Sequence, residues 1–182
     1  EANNIKWTNM LRAEGIKVVS GVPGLKVHSK LTLIRRHEGK EKLVDYCVVG
    51  TGNYHEGTAK IYTDYHLLTS KKQITKEVRK VFTFIESPYK QYNYKHLLVS
   101  PNSMREGIFA LIDREIAHAR AGREAKFWVK INSVSDHEMI SKLGGLGVAK
   151  QVVWIAQDRL EGSVIDENMI NGRRGSVLQV FR

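Results

Sequence analysis

Residues 26–69 read KVHSKLTLIRRHEGKEKLVDYCVVGTGNYHEGTAKIYTDYHLLT, two strand-like runs around a charged loop, followed by a glycine-rich turn. Alternation from Val27 to Ile34 predicts a strand with His28, Lys30 and Thr32 on one face and Val27, Ser29, Leu31 and Leu33 on the other. The charged stretch Arg35 to Lys42 reads as a hairpin-like loop with Gly39 at its tip, and Leu43 to Val49 as the returning strand. In that strand Val44, Tyr46 and Val48 alternate with Leu43, Asp45 and Cys47, and the pair Val48-Val49 argues for burial on both faces near its end. Gly50-Thr51-Gly52-Asn53-Tyr54 then lets the backbone turn tightly and approach a bound group, with Thr51 and Asn53 expected to supply side-chain hydrogen bonds. An imidazole, a cation and a polar glycine-rich turn are the groups that phosphoryl transfer through a covalent histidine uses. A His-x-Lys spacing alone carries little weight, because it arises often by chance.

Outward from this stretch the pattern is α/β. Residues 3–14 predict a helix capped by Asn3 or Asn4 and stopped by Gly15. Ile16 to Ser20 predicts a short apolar strand, Gly21 to Gly24 a turn, and Tyr65 to Leu68 another short strand. Residues 72–86 predict an amphipathic helix with Ile74, Val78, Val81, Phe82 and Ile85 inward and Lys76, Glu77, Arg79 and Lys80 outward. Ser87-Pro88-Tyr89 ends it, and Tyr89, Tyr92 and Tyr94 lie in a polar linker that marks a domain boundary. Residues 103–121 predict a second helix, with Ile108, Leu111, Ile112 and Ile116 on one side and Gly122 closing it. Lys126 to Ile131 reads as a strand, Asp136 as the cap of a helix from Glu138 to Leu143, and Gln151 to Ala156 as a further strand.

The 182 residues are enough for one ordinary domain or two small ones. A formal net charge of +10, with 29 basic residues spread along the chain, attracts polyanions such as nucleotides, nucleic acid, polyphosphate or anionic lipid. The single cysteine, Cys47, excludes an internal disulfide and fits a reducing compartment. No apolar run approaches the roughly 18 residues of a membrane-spanning helix, and no signal peptide is visible. An opening Glu rather than Met is expected of a piece of a longer chain.

The phrases GLKVHSK (24–30), GTGNYHEGTAKIYTDYHLLT (50–69), ITKEVRKVFTFIESPY (74–89), LLVSPNSMREGIFALIDREIAHARAG (97–122) and VKINSVSDHEMISKL (129–143) resemble the C-terminal region of the bacterial polyphosphate kinase family, the long-chain, histidine-phosphorylated type. The resemblance implies an α/β fold of phospholipase D-like type, a mixed sheet flanked by helices. Residues 1–90 would be the later part of a first catalytic domain and residues 95–182 the start of a second, similar one, with an atypical tail from about residue 144. It implies reversible transfer of the terminal phosphate of ATP to inorganic polyphosphate, with His28 as the phosphoryl-accepting nucleophile and Lys30 neutralising charge on the transferred group. Asn53 and the turn amides would hold phosphate oxygens, and Tyr62 would contact the nucleotide. His55 and His66 show no metal-ligand spacing and read as incidental.

The implied cofactor is Mg²⁺, with its associated residues outside this chain; the implied partners are ATP, ADP and polyphosphate, with no specific nucleic-acid partner. The resemblance also admits a homo-oligomer and a cytoplasmic protein peripherally associated with the inner membrane. Two departures matter. The longer phospholipase D signature has Asp five residues after the Lys, where this chain has Arg35, which favours the kinase over a phosphodiesterase. No histidine follows His137, so the family's second active-site histidine is missing, and the upstream arginines associated with Mg²⁺ would precede residue 1. A diverged tail and a truncated or frame-shifted reading frame both account for the lapse after Gly147. The 182 residues alone are therefore expected to have little or no kinase activity. Two alternatives remain open at this point: a phospholipase D-like phosphodiesterase and a non-catalytic polyanion-binding module.

Overall fold

Gly39, with φ of 70°, turns the chain between β1 (Lys30–Glu38) and β2 (Lys42–Gly50), two strands of nine residues each. A side chain at such a positive φ would be strained, so glycine at the tip fixes where the hairpin folds. The computed structural model describes the backbone of residues 2–130, 136–148, 153–157 and 160–164, and side chains over 3–129 and 136–144. The Asn132-Ser133 turn and the tail beyond residue 164 lie outside the described residues. The chain divides into two compact units: Glu1–Val48 with Leu68–Tyr92, and Val49–Leu67 with Asn93–Arg182.

In the first unit α1 (Ala2–Ala13) is followed by Gly15 at φ of 76°, as its sequence predicts. Neither Asn3 nor Asn4 caps it, because the helix already begins at Ala2. Ile16 to Ser20 forms no strand: Ile16 and Val19 are exposed, and the nearby pairing is an isolated bridge between Val22 and Leu25. An apolar run becomes a strand only where a partner meets its backbone groups. The expected strand from Val27 also starts later, at Lys30, leaving His28 in irregular chain just ahead of it. The hairpin accounts for this, since a nine-residue β1 counted back from the turn ends at Lys30 and matches β2 in length.

β2 is the central strand of the β1-β2-β3 sheet, where β3 is His66–Thr69. Between β2 and β3 the chain makes one helical turn, α2 (Glu56–Ala59). Helix α3 (Lys72–Glu86) packs on β1 and buries Thr75, Glu77, Val78 and Val81. Among the described residues of this unit, Val22, Cys47, Val78 and Val81 are the buried apolar ones. Glu77, expected outward, is buried; it lies three residues after Ile74 and four before Val81, so helical geometry puts it on their face. Arg79 is not a free outward charge either. Its guanidinium pairs with Asp45 of β2, which also takes the Arg35 Nε at 2.7 Å.

In the second unit α4 (Met104–Arg120) and α5 (His137–Val148) pack on β4 (Phe127–Lys130). Ile108 and Ile112 from α4, Phe127 and Val129 from β4, and Met139 and Leu143 from α5 make the core. Asp136 caps α5 as its sequence predicts, accepting from the Met139 amide at 2.9 Å, and Arg105 of α4 donates to the same carboxylate at 2.9 Å. The Lys142 ammonium reaches Asp113 at 2.6 Å and lies over the Phe109 ring with Arg105. β4 runs parallel to β5 (Val153–Gln157), pairing Phe127 with Val153, and β5 runs antiparallel to β6 (Leu160–Val164). The expected strand over Gln151 to Ala156 is thus present among the described residues as β5. Among the described residues no helix is long and apolar enough to cross a membrane.

Candidate active site

In the first unit the irregular segment before β1 carries His28 exposed to solvent, while Lys30, the first residue of β1, is half-buried. The Lys30 Nζ donates to the main-chain carbonyl oxygen of His28 at 2.6 Å. This bond turns the long side chain back along its own strand and keeps its charge beside the histidine. The field of Lys30, with smaller contributions from partial burial and from Lys26, holds the His28 imidazole below its ordinary value of 6.5. A neutral imidazole has a ring nitrogen with a lone pair, the form that can attack an electrophilic phosphorus.

Asn53 and Tyr62 lie in the second unit, on the excursion 49–67, at either side of α2. Both side chains are exposed, and the Asn53 carbonyl accepts from the His55 amide at 2.7 Å. Thr51, expected to offer its hydroxyl to a bound group, gives it to Asp64 Oδ1 at 2.8 Å instead. The Thr51 hydroxyl oxygen accepts from the Tyr65 amide at 3.0 Å, and the Thr51 amide donates to the Tyr65 carbonyl at 3.1 Å. His55 caps α2, accepting from the Thr58 amide at 3.3 Å through Nδ1. The His66 ring stacks with Tyr54 at a centroid distance of 6.3 Å. These two histidines therefore hold the loop in shape, a role their spacing does not reveal.

The glycines of the turn answer to close neighbours. A Cβ on Gly52 would run into the Asp64 carboxylate, and one on Gly50 into the His66 imidazole. The structure thus brings His28 and Lys30 together in one unit and sets Asn53 and Tyr62 on one loop of the other. Asp64 has no local signal in the sequence, since its partner Thr51 is thirteen residues away. Arg35, at the position where the phosphodiesterase signature has an acid, is itself tied to an acid, Asp45. Among the described residues no three His, Cys, Asp or Glu side chains converge as a metal site.

The chain thus combines an α/β fold with an exposed histidine beside a lysine in one unit and a polar, glycine-containing loop in the other. Comparison with known proteins gives the family. The family profile of polyphosphate kinase C-terminal domain 1 matches residues 1–91, and that of C-terminal domain 2 matches residues 97–153. The chain belongs to the polyphosphate kinase family. It is 48% identical over 143 residues to a polyphosphate kinase of Vibrio parahaemolyticus, covering 79% of this chain and 20% of that protein. To the polyphosphate kinase of Escherichia coli it is 44% identical over 143 residues, covering 79% and 21% respectively. A crystal structure of polyphosphate kinase from Porphyromonas gingivalis superposes with a TM-score of 0.74 at 32% identity, covering 85% of this chain and 26% of that one. The chain spans about a fifth of the length of the curated relatives it matches.

Proposed function

We propose that this chain is the part of a polyphosphate kinase that carries the phosphoryl-accepting histidine. In the reaction a ring nitrogen of neutral His28 attacks the terminal phosphorus of ATP, the bond from that phosphorus to the bridging oxygen breaks, and ADP leaves. The terminal oxygen of a polyphosphate chain then attacks the phosphohistidine, which returns the imidazole and lengthens the chain by one phosphate. The steps run in reverse when ADP is plentiful. The observation that carries this reading is the pairing of Lys30 with the His28 main chain, which keeps a fixed positive charge beside an exposed imidazole. That charge favours both the neutral nucleophile and the negative group it receives.

Asn53 and Tyr62 are assigned to the nucleotide and phosphate oxygens, Asn53 through its amide and Tyr62 through its ring face. Residues 1–90 on this reading end the first phospholipase D-like catalytic half, and residues 95–182 begin the second. Mg²⁺, expected to accompany the nucleotide, is assigned no ligand within this chain, and no step is drawn through it. The test is an assay of ATP-dependent polyphosphate synthesis by an enzyme of full family length carrying this segment, run beside an assay of phosphodiester cleavage. Synthesis that vanishes in His28→Ala is the expected result; cleavage without synthesis would replace the kinase with a phosphodiesterase.

A further inference from the structure

Two hydrogen bonds through its hydroxyl and one through its amide fix Thr51 against Asp64 and Tyr65 on the opposite arm of the loop. Thr51 lies two residues before Asn53, and Asp64 two residues after Tyr62. The pair therefore ties together the bases of the two arms that carry these side chains. The glycines make room for the tie, since a Cβ at Gly52 would displace the Asp64 carboxylate and one at Gly50 the His66 ring that stacks on Tyr54. Asp64 is half-buried, so its bond to Thr51 has less competition from water than a surface pair would.

We infer that Asp64 is a positioning residue for the nucleotide, acting through Thr51 to hold Asn53 and Tyr62 in their bound arrangement. The inference rests on the nucleotide role assigned above to those two residues. With the clamp in place the loop is ordered before ATP arrives; without it, ordering is charged against binding. The acceptor matters more than the charge, because the Thr51 hydroxyl needs only an oxygen to receive its proton.

The test uses an enzyme of full family length and compares Asp64→Ala, Asp64→Asn, Thr51→Val, Thr51→Ser and the double Asp64→Ala/Thr51→Val. Loss of a hydrogen bond to a charged acceptor is expected to raise the KM for ATP about tenfold in Asp64→Ala and Thr51→Val, with kcat within about twofold. The double variant should match either single one, and the two conservative variants should stay within about threefold of the parent. A KM that does not move, a double effect that multiplies, or an Asp64→Asn as impaired as Asp64→Ala would overturn the inference. Amide exchange at Tyr65 in the 182-residue chain reads the clamp without any turnover. It should accelerate about tenfold in Thr51→Val, and an unchanged rate would also overturn the inference. Absence of polyphosphate synthesis in every variant and the parent would sink the proposed function, while the exchange rate would still decide the clamp.

Discussion

The Lys30 ammonium closes on the carbonyl oxygen of His28 at 2.6 Å, at the point where irregular chain becomes β1. One residue thus starts the strand and, by its charge, lowers the pKa of the imidazole two residues before it. The arrangement needs only the two-residue spacing and a side chain long enough to fold back.

A pH dependence follows from this pair. The folded chain holds His28 below its ordinary value of 6.5, through Lys30 first, then burial and Lys26. Between the folded value and about 6.5 the unfolded chain binds more protons, so the stability linked to His28 is fully present above about 6.5 and is lost as pH falls through the folded value. In Lys30→Ala the NMR titration midpoint of the His28 ring should move up toward 6.5 with the fold intact. A midpoint that stays where it was would show that Lys30 does not set the charge of the imidazole.

Asp45 should matter for stability more than its place on a charged hairpin suggests. Its side chain is 9% exposed and lies between the guanidiniums of Arg35 and Arg79, so Asp45→Ala leaves two cations facing each other. A loss of about 2–3 kcal/mol is expected from breaking a largely buried pair whose partners keep some solvent. Urea denaturation of the 182-residue chain measures it, and an unchanged midpoint would mean the bridge contributes nothing net.

Ile112 is completely buried between Phe127, Val129, Met139 and Leu143 in the core of the second unit. Truncation to Ala leaves a cavity that helices and strand cannot both close, and about 2–5 kcal/mol should be lost. The same denaturation experiment reads the effect, and a loss below about 1 kcal/mol would show that this core repacks freely.

The helices were the legible part of the fold. Val78 and Val81 in α3, and Ile108 and Ile112 in α4, recur at helical spacing, and the structure buries all four. The charge of Glu77 points it outward, whereas its spacing from Ile74 and Val81 puts it on their face, and the structure buries it. Strand limits were less legible. Alternation from Val27 onward is the same on both sides of Lys30, and only the length of β2 decides where pairing stops. The run Ile16 to Ser20 has the composition of a strand but no strand beside it among the described residues. At the candidate site the residues with a chemical signature were readable. The residue that fixes the loop was not, since Asp64 meets Thr51 thirteen residues away; nor was the pairing in the first unit of Asp45 with Arg79, thirty-four residues away, through contacts that no local spacing encodes.

The most direct test of the central claim is to label the enzyme itself. An enzyme of full family length carrying this segment, incubated with ATP radiolabelled in its terminal phosphate, should take up label that is lost in acid and kept in alkali, as a phosphoramidate is. The label should map to the peptide containing His28 and be absent in His28→Ala. Full labelling of His28→Ala, or an adduct that survives acid, would contradict the assignment of His28 as the residue that receives the phosphoryl group.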